Sequence, residues 1–402
     1  MKVKEPYDFY SVNLLGHAEQ ELRLAPVRKM MEAQGISSAL ISSNANLYYI
    51  SGRVFRGYIY INVDGTVRYF VRRPSVLKGE GLHHISRPAE ITSLLAAEGI
   101  GPGTLALELG LLSYSDIVRL AKVLGISSQP VDISQILRTA RSRKTAREQG
   151  LLRMSGARQT LVYNRIPHLY QEGMSDIELQ IEIERASRLE GCLGQFRVAG
   201  SEMELFMGNV LTCDNADVPS PYDFAMGGAG LDPSIPVGAD GSFIETGKPV
   251  MVDVNGNYTG YMTDMTRCYS DGEVSAECLH AHQTSVRICD ALAHIMVPGT
   301  PAAELYNKAE EIARQAGLAD YFMGHRFHAP FVGHGVGIEV NELPVLAAKS
   351  RDIIQQDNVI AVEPKFVIPG IGAVGIENTY IVRSDAPAER ITTVPEVIIS
   401  LT

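Results

Sequence analysis

The feature that most restricts the fold of this 402-residue chain is a set of acidic residues inside apolar, strand-like segments of its C-terminal half. Glu363, for example, directly follows the apolar run 359–362. A carboxylate that is buried without a partner loses its hydration and is strongly destabilising. The fold therefore has to supply these groups with positive charge. The set, with one histidine from a glycine-rich segment, is Asp253, Asp264, His334, Glu363 and Glu377.

Turn-forming residues join these segments in pairs. Asp253 and Asp264 are separated by Asn-Gly-Asn-Tyr-Thr-Gly at 255–260, between two apolar, β-branched stretches. That pattern predicts a hairpin or a close loop return. Glu363 and Glu377 are separated in the same way, by the Pro-Gly-Ile-Gly turn that begins at Pro369. Each turn can bring its two carboxylates together.

The chemistry of the set points to metal ions. Four carboxylates and one imidazole are hard, oxygen-rich ligands that suit Mn²⁺, Co²⁺, Fe²⁺ or Zn²⁺ rather than a thiolate metal site. Clustered carboxylates repel one another and take up protons unless cations neutralise them, and two divalent ions balance four charges. Each residue alone is more often a surface charge or an incidental loop histidine, so the prediction depends on the whole set.

The order and surroundings of the set resemble the creatinase/aminopeptidase superfamily, which has the pita-bread fold. Its members include methionine aminopeptidases, Xaa-Pro aminopeptidases, prolidases and creatinases. The resemblance rests on Gly-His-Gly around His334 and Glu-Pro at Glu363. It extends over most of the chain, through Pro-Gly-Thr at 298–300 and the N-terminal stretch 28–52.

The resemblance implies an α+β fold class with two domains. A smaller, creatinase-like α/β domain is expected at 1–142, and a pita-bread catalytic domain at 143–402. The local patterns agree, since strand-like and helical segments alternate in the first part, for example a helix over 20–35 that stops at Gly35. The boundary is predicted where charge rises, in 138–145.

The resemblance also implies a role for each matching position. Asp253 chelates one metal, and Asp264 and Glu377 bridge both. His334 and Glu363 complete the ligands of the second metal. The expected cofactor is two divalent metal ions, manganese first, with cobalt, zinc or iron as alternatives. Water between two such ions loses a proton near neutral pH and becomes a nucleophile, and Glu363 is the candidate proton carrier.

Three histidines that peptidases of the family place around the site are replaced in this chain. The stretch before Asp253 lacks the first, Asn341 stands in place of the second, and Pro330 in place of the third. These imidazoles hold the scissile peptide and its developing charge, so their loss should weaken transition-state stabilisation. Asn341 and His328 are the candidate catalytic substitutes, with His325 as an alternative, although the histidines could instead cap or pack.

Composition restricts the partners. A net charge of −10 and a pI near 5.5 predict no binding to nucleic acid or to an anionic membrane. The chain has no apolar run of membrane-spanning length and no apolar leader, so the expected location is the cytoplasm. Its five cysteines lack C-x-x-C spacing and are expected to be reduced thiols. The resemblance implies a homodimer.

The preferred prediction is a dinuclear metallohydrolase resembling Xaa-Pro aminopeptidases and prolidases, which cleaves a C–N bond in a small peptide or peptide-like substrate. One rival is a pita-bread enzyme of another class, a creatinase-like hydrolase or a lyase on a small zwitterion, which the replaced histidines would suit. The other rival is a non-catalytic binding module. Such proteins commonly lose metal ligands, whereas all five are present here.

Overall fold

The chain folds as two units, Met1–Arg141 and Ser142–Thr402. The computed structural model describes residues 10–101, 103–126, 130–200, 206–222, 224 and 226–402. Among the described residues, no helix combines the length and the apolar character that a membrane crossing requires. The five cysteines are free thiols.

A mixed six-stranded sheet with helices forms the described part of the N-terminal unit. Its strands are β1 Ser38–Ile41, β2 Arg56–Asn62, β3 Val67–Arg73, β4 Leu82–His84, β5 Leu105–Leu107 and β6 Val131–Asp132. Its helices are α1 His17–Ala33, α2 Asn44–Ser51, α3 Glu90–Ala97, α4 Tyr114–Val123 and α5 Ser134–Ser142. The strand order is β4-β3-β2-β1-β5-β6, with β2 antiparallel to both neighbours and β1, β5 and β6 parallel.

Apolar side chains from this sheet and its helices form one core. Leu40, Phe70 and Leu107 on the strands pack with Ile91 of α3 and Leu120 of α4, and all five are buried. Burial of apolar surface from two kinds of element on one sheet is typical of an α/β layer. The prediction of an α/β N-terminal domain is confirmed.

Four helices of the C-terminal unit are α6 Ala146–Tyr163, α7 Asp176–Leu189, α8 Ala276–Ile295 and α9 Ala302–Gln315. Both α6 and α7 begin with a capping box, in which the N-cap side chain and a glutamate three residues later satisfy each other's backbone N–H groups. These pairs are Thr145 with Glu148 and Ser175 with Glu178. Short 3₁₀ turns lie at Ile166–His168, Cys213–Asp217 and Ala319–Tyr321.

The strands of the C-terminal unit form small sheets and hairpins that are antiparallel except for β19, which is parallel to β11. They are β7 Gly208–Thr212, β8 Pro249–Val254, β9 Gly256–Asn257, β10 Met262–Thr263, β11 Thr266–Ser270, β12 Phe331–Gly335, β13 Glu342–Ala347, β14 Val359–Val362, β15 Lys365–Ile368, β16 Gly372–Gly375, β17 Asn378–Ile381, β18 Glu389–Arg390 and β19 Ile399–Ser400. The two larger sheets have the orders β19-β11-β8-β7 and β13-β12-β14-β17-β18. Helix α8 packs against β15 and β16.

Both predicted turns form hairpin connections. Strands β8 and β11 are antiparallel, with Asp253 opposite Thr266, and the small β9–β10 hairpin lies between them in the chain. Strands β15 and β16 are also antiparallel and enclose the Pro-Gly-Ile-Gly turn. Strand β14 pairs with β17 so that Val362 lies opposite Asn378. Glu363 and Glu377, next to these two residues, are therefore brought to the same end of the sheet.

Candidate metal centre

Each of the five predicted ligands lies within or beside a strand end. Asp253 is in β8 and His334 is in β12, whereas Asp264 lies between β10 and β11. Glu363 directly follows β14, and Glu377 directly precedes β17. Because strand ends are held by the sheet ladder, their side chains are placed by rigid backbone rather than by loops.

The structure brings all five side chains into one buried cluster. One ligand atom each from Asp264, His334 and Glu377 lies within 4.8 Å of the others. The same holds for Asp253, Glu363 and Glu377. Glu377 is shared, so the cluster consists of two overlapping triads. We call the first the imidazole triad and the second the carboxylate triad.

Sequence reasoning missed Lys365, whose ammonium group lies in the carboxylate triad. Its Nζ is 2.7 Å from Asp253 Oδ2, 2.9 Å from Glu363 Oε2 and 3.4 Å from Glu377 Oε2. Its side chain is fully buried, at 0% exposure. A signal was present, because Lys365 stands two positions after Glu363 in an extended segment, and residues at that spacing point to the same face.

The imidazole ring of His334 faces the carboxylates of Glu363 and Asp264. Its Nε2 lies 3.3 Å from Glu363 Oε1 and 3.9 Å from Asp264 Oδ2. Burial lowers the pKa of His334, but the Glu363 and Asp264 carboxylates outweigh burial and raise it to about 9. The other ring nitrogen, Nδ1, donates to the carbonyl of Gly335 at 3.1 Å. That bond orients the ring so that Nε2 is the nitrogen presented to the cluster.

The positive charge is unevenly distributed over the carboxylates. Burial raises the pKa of Glu363, but Lys365 and His334 outweigh it and bring the value down to about 2. Burial, followed by the neighbouring Asp253 charge, raises the pKa of Asp264 to about 7. Burial and the Asp264 charge raise the pKa of Glu377 well above its ordinary value. Asp264 and Glu377 are therefore the carboxylates whose burial is least offset by neighbouring positive charge.

A second layer of side chains orients the ligands. Asn255, with its amide nitrogen toward Asp264, donates to both carboxylate oxygens at 2.7 and 2.8 Å. Thr266 Oγ1 donates to Glu377 Oε2 at 2.9 Å. Ser285 of α8 accepts from the backbone N–H of Ile376 at 2.9 Å, which holds the segment before Glu377 against the helix. Such partners set the direction of a ligand side chain.

From the sequence alone, Arg267 could anchor a substrate carboxylate, orient a metal ligand or form an ion pair within a strand. In the structure it bonds to the backbone beside Glu377. It is fully buried and donates to the backbone carbonyls of Glu377 at 2.8 Å and Val394 at 2.9 Å. It also donates to Asn378 Oδ1 at 2.8 Å. Burial lowers the pKa of Arg267. Its guanidinium therefore holds the backbone on both sides of Glu377 and serves as a positioning group.

The two residues suggested as substitutes for the missing histidines, Asn341 and His328, both form hydrogen bonds with the backbone. Asn341 accepts from the backbone N–H of Ala199 at 2.6 Å and donates to the Ala199 carbonyl at 3.1 Å. His328 is exposed, and its Nδ1 donates to the carbonyl of Phe322 at 2.8 Å. A catalytic part for Asn341 would require its bonds to Ala199 to open. His325 pairs with Asp217, at 3.0 Å.

Comparison with known proteins identifies the family. The family model for Metallopeptidase family M24 matches residues 150–384, and that for the Creatinase/Prolidase N-terminal domain matches residues 23–143. The chain belongs to metallopeptidase family M24. It is thus a metallopeptidase by class, with a creatinase-like N-terminal domain and a pita-bread C-terminal domain, as the resemblance implied.

Similarity to individual relatives extends along almost the whole chain. The uncharacterized peptidase YqhT of Bacillus subtilis is 26% identical over 372 residues, which cover 90% of this chain and 95% of the relative. The Xaa-Pro dipeptidase of Pyrococcus furiosus is 25% identical over 383 residues, covering 92% and 97%. The solved structure of the Xaa-Pro dipeptidase from Bacillus anthracis superposes with a TM-score of 0.77 at 22% identity, covering 95% and 99% of the two chains. That last likeness concerns the fold.

The family implies divalent metal ions, and the two triads differ in how well they fit one. The imidazole triad offers two carboxylates and an imidazole. Within it Glu377 Oε1 is buried and has no hydrogen-bond partner among the described residues, which is the state of a ligand atom that needs a cation. The carboxylate triad already surrounds the ammonium group of Lys365. One triad therefore fits an ion, and the other is filled by a side chain.

Proposed function

We propose that this protein is a metal-dependent hydrolase that cleaves the C–N bond of short peptides, with Xaa-Pro dipeptides as the first substrate class. The observation that carries the proposal is the convergence of four carboxylates and His334 in one cluster, in which Asp264, Glu363 and Glu377 are buried and Asp253 and His334 are partly buried. The named activity of the Pyrococcus furiosus relative supports the choice of substrate class. The cytoplasmic location expected from the sequence stays a prediction.

In this proposal, Asp264, His334 and Glu377 hold a divalent ion. Such an ion, when bound, polarises a carbonyl oxygen and makes water acidic enough to attack near neutral pH. Glu363 is the proposed proton carrier, because one of its oxygens faces His334 Nε2 at 3.3 Å. Its other oxygen accepts from Lys365, which keeps the carboxylate ionised.

The number of ions is a separate question from the activity. Two ions, with manganese as the first choice, were predicted from the sequence because four carboxylates need about that much countercharge. Lys365 supplies part of that charge from within the chain. A two-ion site would require its ammonium group to leave the carboxylate triad.

The proposal is tested by metal content and peptide cleavage measured together. We expect the purified or reconstituted protein to bind a divalent ion and to hydrolyse members of a panel of Xaa-Pro dipeptides and tripeptides. A chelator should abolish cleavage, and re-addition of Mn²⁺, Co²⁺ or Zn²⁺ should restore it. Asp264→Ala should lose both the metal and the activity, whereas Asp385→Ala, which removes an exposed carboxylate outside the cluster, should lose neither.

A second candidate function is that of a hydrolase or a lyase whose substrate is a small zwitterion in place of a peptide. It is favoured by the contacts of Asn341, whose amide is bonded to Ala199 at the position where peptidases carry a histidine. If the metal-loaded protein cleaves no peptide of the panel, the peptidase proposal is withdrawn, and the small-zwitterion function takes its place.

A further inference from the structure

Lys365 is the first residue of β15 and has no access to solvent. An ammonium group has three N–H donors and no acceptor. Each of its three neighbours in the cluster is a carboxylate oxygen, from Asp253, Glu363 and Glu377, at 2.7, 2.9 and 3.4 Å. Each of the three N–H donors of Lys365 therefore has one carboxylate oxygen of the triad as its acceptor.

A divalent ion and this ammonium group cannot share the carboxylate triad. A transition-metal ion binds carboxylate oxygen at about 2.0–2.2 Å, and so has to lie among the same three oxygens that surround Nζ. Two positive centres in so small a dry space would also repel one another strongly, because little water is present to screen them. Occupation by one excludes the other.

The stem of Lys365 is held in place by the backbone around it. Gly375 lies opposite Lys365 in the β15–β16 pair, and a Cβ atom at Gly375 would be only 2.9 Å from Lys365 Cα and 3.3 Å from its Cγ. The Lys365 carbonyl accepts from the N–H of Met323 at 2.8 Å. The nearest atom to such a Cβ would be the Pro364 carbonyl oxygen, at 2.5 Å, so glycine at 375 lets the two strands approach closely beside Lys365.

We propose that Lys365 is the permanent cation of the carboxylate triad, and that the protein accordingly binds one divalent ion, in the imidazole triad of Asp264, His334 and Glu377. This inference deepens the proposed function, on which it rests, by specifying the metal content of the same site. The single ion would be held on one side by His334 Nε2 and on the other by Glu377, whose Oε1 is the unpartnered atom.

The charges of the cluster agree with one ion. Four carboxylates carry four negative charges, and the ammonium group and one divalent ion together carry three positive charges. The remaining charge is small enough for a single proton or a polar ligand to balance.

The test is the number of ions bound, measured by elemental analysis and by calorimetric titration of the metal-free protein with Mn²⁺. We expect about one ion per wild-type chain, and about two per chain in Lys365→Met, where an apolar side chain of similar length leaves the carboxylate triad open. With Mn²⁺ bound, wild type should give the electron paramagnetic resonance spectrum of an isolated ion, and the variant that of a coupled pair. About two ions in wild type would overturn the proposal, as would no ion at all.

Two further variants keep the test decisive if Lys365→Met fails to fold. In wild-type background, Asp253→Asn should leave one ion bound, because Asp253 is a partner of Lys365 and not a metal ligand. Loss of the single ion in Asp253→Asn would instead identify Asp253 as a metal ligand and overturn the proposal. Lys144→Met is the matched control, since Lys144 is equally buried but pairs with Glu342 at 2.9 Å. It should not change the ion count.

The inference and the proposed function fail in different ways. Two ions with peptide cleavage would overturn the role of Lys365 and leave the peptidase proposal in place. One ion without cleavage of any peptide would leave the role of Lys365 in place and remove the substrate class. The ion count is measured without substrate, so activity does not enter its interpretation.

Discussion

Glu363 contacts the two cationic side chains of the cluster through different oxygens. Its Oε2 accepts from Lys365 at 2.9 Å, and its Oε1 faces His334 Nε2 at 3.3 Å. The two cations offset the burial of the carboxylate and keep it ionised, with a pKa of about 2. Proton transfer is most efficient for a group whose pKa lies near the working pH, so the proposed role of Glu363 rests on its position beside His334 and not on this pKa.

Glu363→Gln should therefore lower kcat by on the order of 10²-fold or more, because the amide cannot accept the proton. The glutamine oxygen can still accept from Lys365, so the melting temperature should change much less than the activity. The measurement is kcat at confirmed metal content, together with thermal unfolding. Unchanged turnover in a metal-loaded variant would count against the role of Glu363. The control is Glu389→Gln, which removes a carboxylate outside the cluster and should leave kcat unchanged.

Helix α6 is tied to strand β18 by an arginine fork. Arg153 donates to Glu389 through two nitrogens, at 2.7 and 2.8 Å, and Arg383 donates to the same carboxylate. Hydrogen bonds from Arg153, with Arg383 assisting, outweigh partial burial and lower the pKa of Glu389 to about 2. Bidentate pairs of this kind are stronger than ordinary surface ion pairs.

Glu389→Gln should reduce the free energy of unfolding at pH 7 by about 0.5–1 kcal/mol, a value kept low because the pair is partly exposed and screened by solvent. The folded-state pKa lies below the unfolded one, so this contribution is present above about pH 4.5 and disappears as the pH falls toward 2. The measurement is chemical denaturation of both proteins across that range. A difference that stays constant with pH would show that the carboxylate charge is not the cause.

For the whole molecule, the family resemblance implies a homodimer in which the N-terminal domain of one chain covers the active site of the other. Arg53 and Arg56, which follow Gly52, could reach a substrate carboxylate in such an assembly, although the sequence favours ordinary surface charges at both positions. Arg56 is exposed at the start of β2, and Arg53 Nη1 donates weakly to the Ser11 carbonyl at 3.5 Å. Both arginines are therefore compatible with binding a substrate carboxylate.

Light scattering should accordingly give a mass of twice 43.8 kDa at concentrations where the protein is active. Arg56→Ala should raise KM for dipeptides and leave kcat nearly unchanged, because it removes binding energy that is equal in ground and transition states. Arg87→Ala, at an arginine with a side chain 80% exposed, is the control. A fully active monomer would remove the idea of a shared site.

Local sequence patterns indicated individual elements, whereas the fold class was implied by the family resemblance. Helical patterns predicted helices over about 145–170 and 175–190, and the structure has α6 and α7 there, beginning after the caps Thr145 and Ser175. Turn formers predicted the close returns that join Asp253 to Asp264 and Glu363 to Glu377, whereas the pairing of β12 with β14 places His334. These signals are readable because each depends on residues within one turn or one strand of each other.

The tertiary structure decided what fills and surrounds the cluster. Whether Lys365 faces its carboxylates or solvent depends on the pairing of β15 with β16 and on the space above Gly375, neither of which a local pattern records. The same holds for Arg267, whose partners at Val394 and Glu377 lie more than a hundred residues away in the chain. The sequence by itself determined which charges are present. Only the packing of distant segments decided which charge neutralises which, because electrostatic partners are set by distance and burial and not by order along the chain.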